Sequence, residues 1–217
     1  MAQTNATRIM LAAAGAMLAS SGALAQLDVS PTNQWAWSEN AGWLNWGDTA
    51  SPNEVFLAAS YMGGFVWGEN IGWINLGDGT PANGVSYANT SAADFGVNID
   101  PGTGEMSGYA WGENVGWINF GTTPFIGVDG ARFDDVAVRL RGYAWGENIG
   151  WVNLDDASFF VGFTCTGDLN GDGQVDGADL GLLLGAWGGP GPADLNGSGT
   201  VDGADLGLLL GAWGPCL

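Results

Sequence analysis

The sequence FVWGENIGWINLG, residues 65–77, is one of four copies of an aromatic frame that decides the fold of this chain. The other copies, which we also call frame repeats, occupy residues 35–47, 109–121 and 143–155. In each copy, aromatic and β-branched residues flank a tight turn, and the second strand begins with a glycine. This pattern predicts a β-hairpin. Because helical periodicity is absent, we expect residues 26–164 to form an all-β repeat domain of antiparallel hairpins or meanders.

The spacing of the tryptophans predicts the register of the hairpin. With a loop of three or five residues, Trp67 lies opposite Trp73, and both share a face with Phe65 and Asn75. Because both faces are apolar, two arrangements remain open. A sandwich or closed array buries the tryptophans as core, which we favour. Otherwise one face is exposed, and its aromatic rings stack on ligands such as sugars. The tryptophans concerned are Trp37, Trp43, Trp67, Trp73, Trp111, Trp117, Trp145 and Trp151.

Other features of the repeat domain concern its strands and turns. Strands expected at residues 95–100 and 136–140 would make the repeating unit a three-stranded meander. The turn asparagines suit left-handed backbone positions; they are Asn40, Asn70, Asn114 and Asn148. We interpret the glutamates before them as turn residues rather than catalytic acids; they are Glu39, Glu69, Glu113 and Glu147.

A second repeat lies near the end of the chain, where residues 168–179 read DLNGDGQVDGAD and residues 194–205 read DLNGSGTVDGAD. Calcium takes about six to eight oxygen ligands, and both copies place oxygen-bearing residues at calcium-loop positions. Gly173 and Gly199 allow the sharp turn at loop position six. We therefore expect two calcium ions. The predicted ligands are Asp168, Asn170, Asp172, Gln174, Asp176 and Asp179 in the first loop, and Asp194, Asn196, Ser198, Thr200, Asp202 and Asp205 in the second.

Each loop is followed by the segment LGLLLGAWG, whose apolar residues have the spacing of one stripe on a short helix. We expect the two stripes to pack against each other. They consist of Leu180, Leu183, Leu184 and Trp187 in the first copy, and Leu206, Leu209, Leu210 and Trp213 in the second. No helical pattern precedes either loop, so the unit is loop-then-helix, written twice.

This duplication resembles the type I dockerin domain, a module that docks to cohesin domains in cellulosome-like assemblies. The resemblance covers residues 165–217 and implies a small α module of two EF-hand-like calcium units with a cohesin-like partner. The Gly-Pro-Cys end resembles GC-type dockerins, and the frame resembles GYAWxENIGW repeats of secreted bacterial proteins. Well-known dockerins often carry Ser-Thr at loop positions 10 and 11 and Lys-Arg on the helix, and this chain departs from them at both places. It has Gly177-Ala178, Gly203-Ala204, Leu184-Gly185 and Leu210-Gly211 there, so the familiar cohesin specificity does not carry over.

The N-terminus predicts export from the cell. Arg8 is the only charged residue before residue 28, and an Ala-Leu-Ala site at residues 23–25 ends an apolar stretch. We interpret residues 1–25 as a secretory signal peptide rather than a membrane span or a retained helix. Export permits a disulfide between Cys165 and Cys216, which bracket the calcium loops. Unpaired thiols or intermolecular bonds are the alternatives. The expected location is extracellular or at the cell surface.

Composition excludes several classes of function. The formal net charge is −19 with only four basic residues, which argues against nucleic acid and anionic membranes as partners. The chain has no histidine and so lacks Ser-His triads and His-metal centres. We expect a secreted, non-catalytic protein that docks through its calcium module. The alternatives are a carbohydrate-binding module or, using paired carboxylates, a glycoside hydrolase in a polysaccharide-degrading assembly.

Overall fold

The computed structural model of the protein describes residues 27–216, and the predicted signal peptide lies outside them. The described residues are mainly β, as the sequence predicts. The strands are β1 (Leu27–Ser38), β2 (Gly42–Asn45), β3 (Phe56–Leu57), β4 (Met62–Gly63), β5 (Phe65–Gly68), β6 (Gly72–Asn75), β7 (Val97–Ile99), β8 (Met106–Gly112), β9 (Gly116–Asn119), β10 (Arg132–Asp134), β11 (Arg139–Arg141), β12 (Tyr143–Gly146), β13 (Gly150–Asn153), β14 (Val161–Cys165), β15 (Gln174–Val175) and β16 (Gly214–Pro215). The helices are α1 (Thr123–Ile126), α2 (Gly177–Gly185) and α3 (Gly203–Gly211), and a 3-10 turn spans Gly127–Asp129.

Each frame repeat forms one antiparallel hairpin, made of β1–β2, β5–β6, β8–β9 and β12–β13. In β5–β6, Trp67 pairs with Trp73 and Phe65 with Asn75, which confirms the predicted register. Gly72, the first residue after the loop, has a φ of +79°. For a residue with a Cβ, this left-handed conformation costs about 1–2 kcal/mol of conformational free energy. Glycine avoids that cost because it has no Cβ.

The four hairpins close into an antiparallel barrel. Its eight strands follow the order β1, β2, β5, β6, β8, β9, β12 and β13, and β13 pairs back onto β1. Every junction between hairpins has the same register, which places an asparagine of one repeat opposite a tryptophan of a neighbour. The pairs are Asn45 with Trp67, Asn75 with Trp111, Asn119 with Trp145, and Asn153 with Trp37. Closure leaves no free edge in this ring, because each strand has two neighbours.

The predicted three-stranded meander is correct for only one repeat. Strand β7 pairs with β8 and so precedes the third hairpin as expected. The strand predicted at residues 136–140 is shorter and later, Arg139–Arg141, and it pairs with β10 and β14 instead of β12. The reason is strand length. The seven-residue β8 extends before its ring pairings and pairs there with β7, whereas the four-residue β12 is used up by β9 and β13.

The interior of the barrel is filled mainly by small and branched aliphatic side chains, not by the eight paired tryptophans of the hairpins. The inward positions alternate with the outward aromatic ones, and all are buried: Ala36, Leu44, Val66, Ile74, Ala110, Ile118, Ala144 and Val152. The expectation that the eight paired tryptophans are core is therefore wrong, although Trp46 near the end of the first frame repeat is buried. An eight-stranded ring leaves an interior just wide enough for side chains to fill, so the paired indoles occupy the outer face.

The loops at one end of the barrel are connected by asparagine side chains. Asn70 donates its Nδ2 hydrogen to the Ala41 carbonyl, and Asn114 donates to the Ile71 carbonyl, both at 3.0 Å. Asn148 makes the same bond to Val115. The expected left-handed asparagine conformation is wrong, because the glycines two positions later take the positive φ instead. The asparagine side chains join neighbouring hairpins through the loops. The residue that follows each asparagine is buried at this end of the core.

A smaller apolar cluster lies between α2, α3 and the loops before them. Its buried members are Val175, Leu183, Ala193, Val201 and Leu209.

Cys165 and Cys216 form a disulfide, as the sequence predicted, and both pack against this cluster and against the barrel. The bond joins the end of β14 to the last described residue, so it closes the segment that contains both loops. No helix within residues 27–216 has the length and apolar character needed to cross a bilayer.

Candidate functional sites

The two predicted calcium loops share one backbone arrangement. In the first loop the Asp168 carboxylate accepts hydrogen bonds from the N–H groups of Gly171, Asp172 and Gly173, at 2.8–3.2 Å. In the second loop Asp194 accepts from Ser198 and Gly199, at 3.0 and 2.7 Å. The glycine at the sixth loop position has φ of +85° in one loop and +95° in the other, as predicted.

The hydrogen bonds made at the middle positions of the two loops are also the same. Asn170 Oδ1 accepts the Asp172 N–H, and Asn196 Oδ1 accepts the Ser198 N–H. Gln174 lies in β15 opposite Pro215, whereas the Thr200 carbonyl accepts the Ser198 hydroxyl at 3.2 Å. Each loop thus collects carboxylate, amide, hydroxyl and carbonyl oxygens. Oxygen is the donor atom that calcium prefers.

The last two acidic positions of each loop cap a helix. Asp176 is the N-cap of α2 and accepts the Ala178 N–H, while Asp179 accepts the Asp176 N–H. Asp202 and Asp205 do the same for α3, with N-cap φ and ψ that agree within about one degree. Such reciprocal capping satisfies helix N–H groups that have no partner inside the helix.

Asp179 and Asp205 are fully buried yet held in the ionised form. Burial raises the pKa of Asp179, but hydrogen bonds from the backbone N–H groups of Asp176, Leu169 and Asn170 together lower it below its ordinary value. For Asp205, the pKa is lowered chiefly by the Asp202 N–H. Both carboxylates therefore remain oxygen acceptors at neutral pH, although much of their acceptor capacity is used inside the fold.

Within residues 27–216, no three Asp, Glu or Cys side chains come together as a metal-binding group. The donor chemistry nevertheless fits calcium, because an ionised carboxylate has about four lone-pair sites. Asp179 uses three of these sites for N–H groups and Asp168 also uses three. Each keeps acceptor capacity that could face an ion.

The apolar stripes of the two helices pack together only in part. Only Leu183 and Leu209 are fully buried, and Leu180 and Leu206 are half-buried at the edge of the cluster. The other members of the stripes are exposed, at 44–53% of their surface. Together with Leu182 and Leu208 they form what we call the helix patch: Leu182, Leu184, Trp187, Leu208, Leu210 and Trp213. The cluster is too small to cover two all-apolar helices, so half of the leucines remain on the surface.

The frame tryptophans lie in pairs on the outer face of the barrel. Paired indoles are 4.7–5.0 Å apart between ring centroids. Three pairs meet edge to face, a favourable geometry, and Trp67 and Trp73 are tilted by 59°. Trp67, Trp73 and Trp151 are half-buried, whereas the other five are 37–43% exposed. All eight candidate stacking residues are therefore brought onto one continuous surface around the barrel.

Two grooves on this surface are built from equivalent residues. Groove A, of about 300 Å³, is lined by Trp35, Trp43, Glu69 and Phe159. Groove B, of about 620 Å³, contains Tyr109, Trp117, Glu147 and Phe95 at the corresponding places, together with Trp145, Asn119 and other polar residues. Neither phenylalanine belongs to a frame repeat, so sequence reasoning on the frame alone could not find them.

The turn glutamates project from the same end of the barrel as the asparagines, one from each hairpin. All four are exposed. Glu69 and Glu147 differ from the other two because each also forms a wall of a groove.

Comparison of the chain with protein-family models, curated proteins and solved structures found no match.

Proposed function

We propose that residues 165–217 form a calcium-ordered docking module and that the protein acts by attaching its β-barrel to a partner through this module. The observation that carries the proposal is the repetition of the loops. Asp168 and Asp194 each fold a loop through N–H groups at matching offsets, and a capped helix follows each one. Repetition at this level indicates that both loops perform the same task.

Calcium would be held by the oxygens of the loop residues already named. Asp168, Asn170, Asp172, Asp176, Asp179 and the Gln174 carbonyl would serve the first ion. Their counterparts Asp194, Asn196, Ser198, Asp202, Asp205 and the Thr200 carbonyl would serve the second. An ion would offset the repulsion between neighbouring carboxylates and would bind the folded loops only. Its binding free energy would thereby stabilise the module.

The helix patch is the surface that we propose for docking, and its occupant is a cohesin-like protein domain. Four exposed leucines on α2 and α3, and the exposed Trp187 and Trp213 that follow these helices, are not covered by the rest of the described chain. Grouped exposed apolar side chains are typical of protein interaction sites. Each repeat contributes three of these side chains at equivalent positions, because the two helices have the same sequence. Leu184-Gly185 and Leu210-Gly211 give each copy an apolar character, and the partner surface should match that character.

The compartment follows from the same reasoning. A disulfide between Cys165 and Cys216 persists in oxidising surroundings. This supports secretion of the protein, in line with the predicted signal peptide. Docking would then occur outside the cell, where millimolar calcium is common and where calcium modules of moderate affinity are loaded.

The test is calorimetric titration of the full chain with calcium, followed by far-UV circular dichroism with and without a chelator. We expect two ions per chain and a loss of helical signal on chelation. The double variant Asp168→Ala and Asp194→Ala should bind no calcium and should resemble the chelated protein. The matched control is Asp135→Ala, which removes an exposed carboxylate outside the loops. A wild-type chain that takes up no calcium would contradict the proposal.

A further inference from the structure

Grooves A and B share four equivalent lining residues at two places on the barrel, and groove B is the larger. Trp35 and Trp43 of groove A have ring centroids 6.2 Å apart, and Tyr109 and Trp117 of groove B have centroids 6.1 Å apart. The residues occupy identical positions in the first and third frame repeats. The carboxylate in each groove comes from the next hairpin along the ring, Glu69 in one case and Glu147 in the other.

The phenylalanines strengthen this equivalence because they come from unrelated segments. Phe159 precedes β14, whereas Phe95 precedes β7. Each meets the second tryptophan of its hairpin edge to face, with centroids 4.8 Å and 5.1 Å apart and an interplanar angle of 83° in both grooves. Trp43 and Trp117 remain 38% and 43% exposed in spite of these contacts. The phenylalanine thus forms a wall and leaves part of the indole open.

The polar groups in groove B are suited to hydroxyl groups. Within residues 27–216, no hydrogen bond or ion pair engages the Glu147 carboxylate, so its oxygens are free to accept. Asn119 accepts the Gly121 N–H through Oδ1, which leaves its Nδ2 hydrogens to donate. Asn148 donates Nδ2 to Val115 and keeps Oδ1 as an acceptor. Aromatic walls together with an unengaged carboxylate and amides recognise a ligand that has flat apolar faces and hydroxyl edges.

Charge selects among such ligands. The chain has a net charge of −19, and a glutamate forms one wall of each groove. An anionic polysaccharide or a nucleic acid would be repelled at both grooves. A neutral sugar polymer with equatorial hydroxyls avoids this cost. The C–H faces of its pyranose rings are suited to stacking on indoles, and its hydroxyls are suited to a carboxylate acceptor.

We infer that grooves A and B are two related binding sites for a neutral polysaccharide built of pyranose rings. Groove A is lined by β1, β2 and the loop after β5, and groove B is lined by β8, β9 and the loop after β12. These positions are four strands apart in a ring of eight, hence on opposite sides of the barrel. One straight glycan chain cannot occupy both grooves. The barrel therefore cross-links two chains, an activity separate from calcium-dependent docking.

The first experiment measures stoichiometry on the full chain in calcium buffer. Calorimetric titration with a neutral β-1,4-linked glucose hexasaccharide should give two sites per chain and a change in tryptophan emission. Polygalacturonate should produce neither signal. Trp43→Ala and Trp117→Ala should each reduce the stoichiometry from two to one, and the double variant should weaken binding by at least about tenfold.

The matched control is Trp73→Ala. Trp73 holds the same frame position in the second hairpin, and among the described residues it has no phenylalanine against it. We expect this variant to keep both sites. Glu69→Gln with Glu147→Gln retains every ring and should still lower affinity by about threefold, since hydrogen bonds to charged groups are stronger than neutral ones. Equal loss in Trp73→Ala and Trp117→Ala would overturn the assignment of the grooves.

The second experiment tests cross-linking. The wild-type chain should make a solution of hydroxyethylcellulose turbid, with a maximum at intermediate protein concentration. Trp43→Ala and Trp117→Ala should each bind the polymer without turbidity, because one site cannot bridge. Turbidity that persists in both single variants, or no binding of either neutral glucan by the wild-type chain, would refute the inference.

Discussion

Asn114 donates its side-chain amide to the main-chain carbonyl of Ile71 across 43 residues of sequence, at a distance of 3.0 Å. The bond joins the loop of the third hairpin to the loop of the second. Asn70 and Asn148 join the neighbouring loops in the same way. The asparagine of the frame repeat therefore links hairpins to one another rather than shaping its own turn.

Asn114→Ala should lower the free energy of unfolding by about 1 kcal/mol, because the Ile71 carbonyl loses a partner in a partly buried place. Chemical denaturation followed by tryptophan fluorescence measures this. Asn40→Ala is the control, since within the described residues the Asn40 side chain donates no such bond and Ser38 binds the corresponding Ile149 carbonyl. An equal effect of the two variants would contradict the linking role of Asn114.

Leu183→Ala should destabilise the C-terminal unit by about 2–4 kcal/mol, because Leu183 is fully buried in the small cluster. Its neighbour Leu184 is 53% exposed, so Leu184→Ala should change stability by less than about 0.5 kcal/mol. Thermal melting in the far-UV compares the two variants directly. If Leu184→Ala is the more damaging, the burial assigned to the helix is wrong.

Removal of the disulfide should destabilise the C-terminal unit by about 4 kcal/mol, which is the chain-entropy value for a closed segment of this length. Cys165 and Cys216 are separated by 51 residues. The Cys165→Ser and Cys216→Ser double variant avoids leaving one free thiol. Its melting temperature should equal that of the wild-type chain in reductant, and should itself be insensitive to reductant.

Trp46 is buried in the barrel with its Nε1–H unpaired among the described atoms. Trp46→Phe removes that polar group and keeps most of the ring volume, so it should be close to neutral in stability. Trp46→Ala should lower the free energy of unfolding by about 3–5 kcal/mol through the cavity it leaves. Urea denaturation of both variants separates packing from hydrogen bonding, and a large loss in Trp46→Phe would indicate that the N–H has a partner.

Asp100 accepts the N–H groups of Gly102 and Thr103, and these bonds hold its pKa below the ordinary value of 3.8. Because the folded pKa is the lower one, the stabilisation is complete above pH 3.8 and disappears as the pH falls through the folded pKa. Asp100→Asn should remove this contribution to acid sensitivity while keeping the turn. Denaturation midpoints between pH 2 and pH 6 test it, and Asp135→Asn is the exposed control.

The local structure was largely predictable from the sequence. Alternation around Trp67 and Trp73 defines a hairpin register, because side chains of a strand point to opposite faces with a period of two. The loop-then-helix pattern with glycine at position 173 likewise defines where a helix begins. The disulfide followed from two cysteines that bracket one segment. All these inferences use residues close in sequence or a single pair.

Other features depended on contacts between distant residues. The frame repeat is apolar on both faces, so its pattern could not decide whether Trp117 or Ile118 points inward. Closure of the ring through β1 and β13 decided it, because Ile118 and its equivalents fill the interior and the paired indoles are left on the outer face. The burial of Leu183 rather than Leu184 was decided similarly, by how little surface the second helix and its loop could cover.

The sequence by itself therefore determined the hairpins, the loops, the helices and the cysteine pair, since short-range spacing and backbone freedom specify them. Only the tertiary structure decided which apolar face is core and which is surface. It also brought Phe95 and Phe159 onto equivalent tryptophans from segments without common sequence. The physical reason is that burial depends on the space left by the closed barrel, a quantity that no local pattern contains.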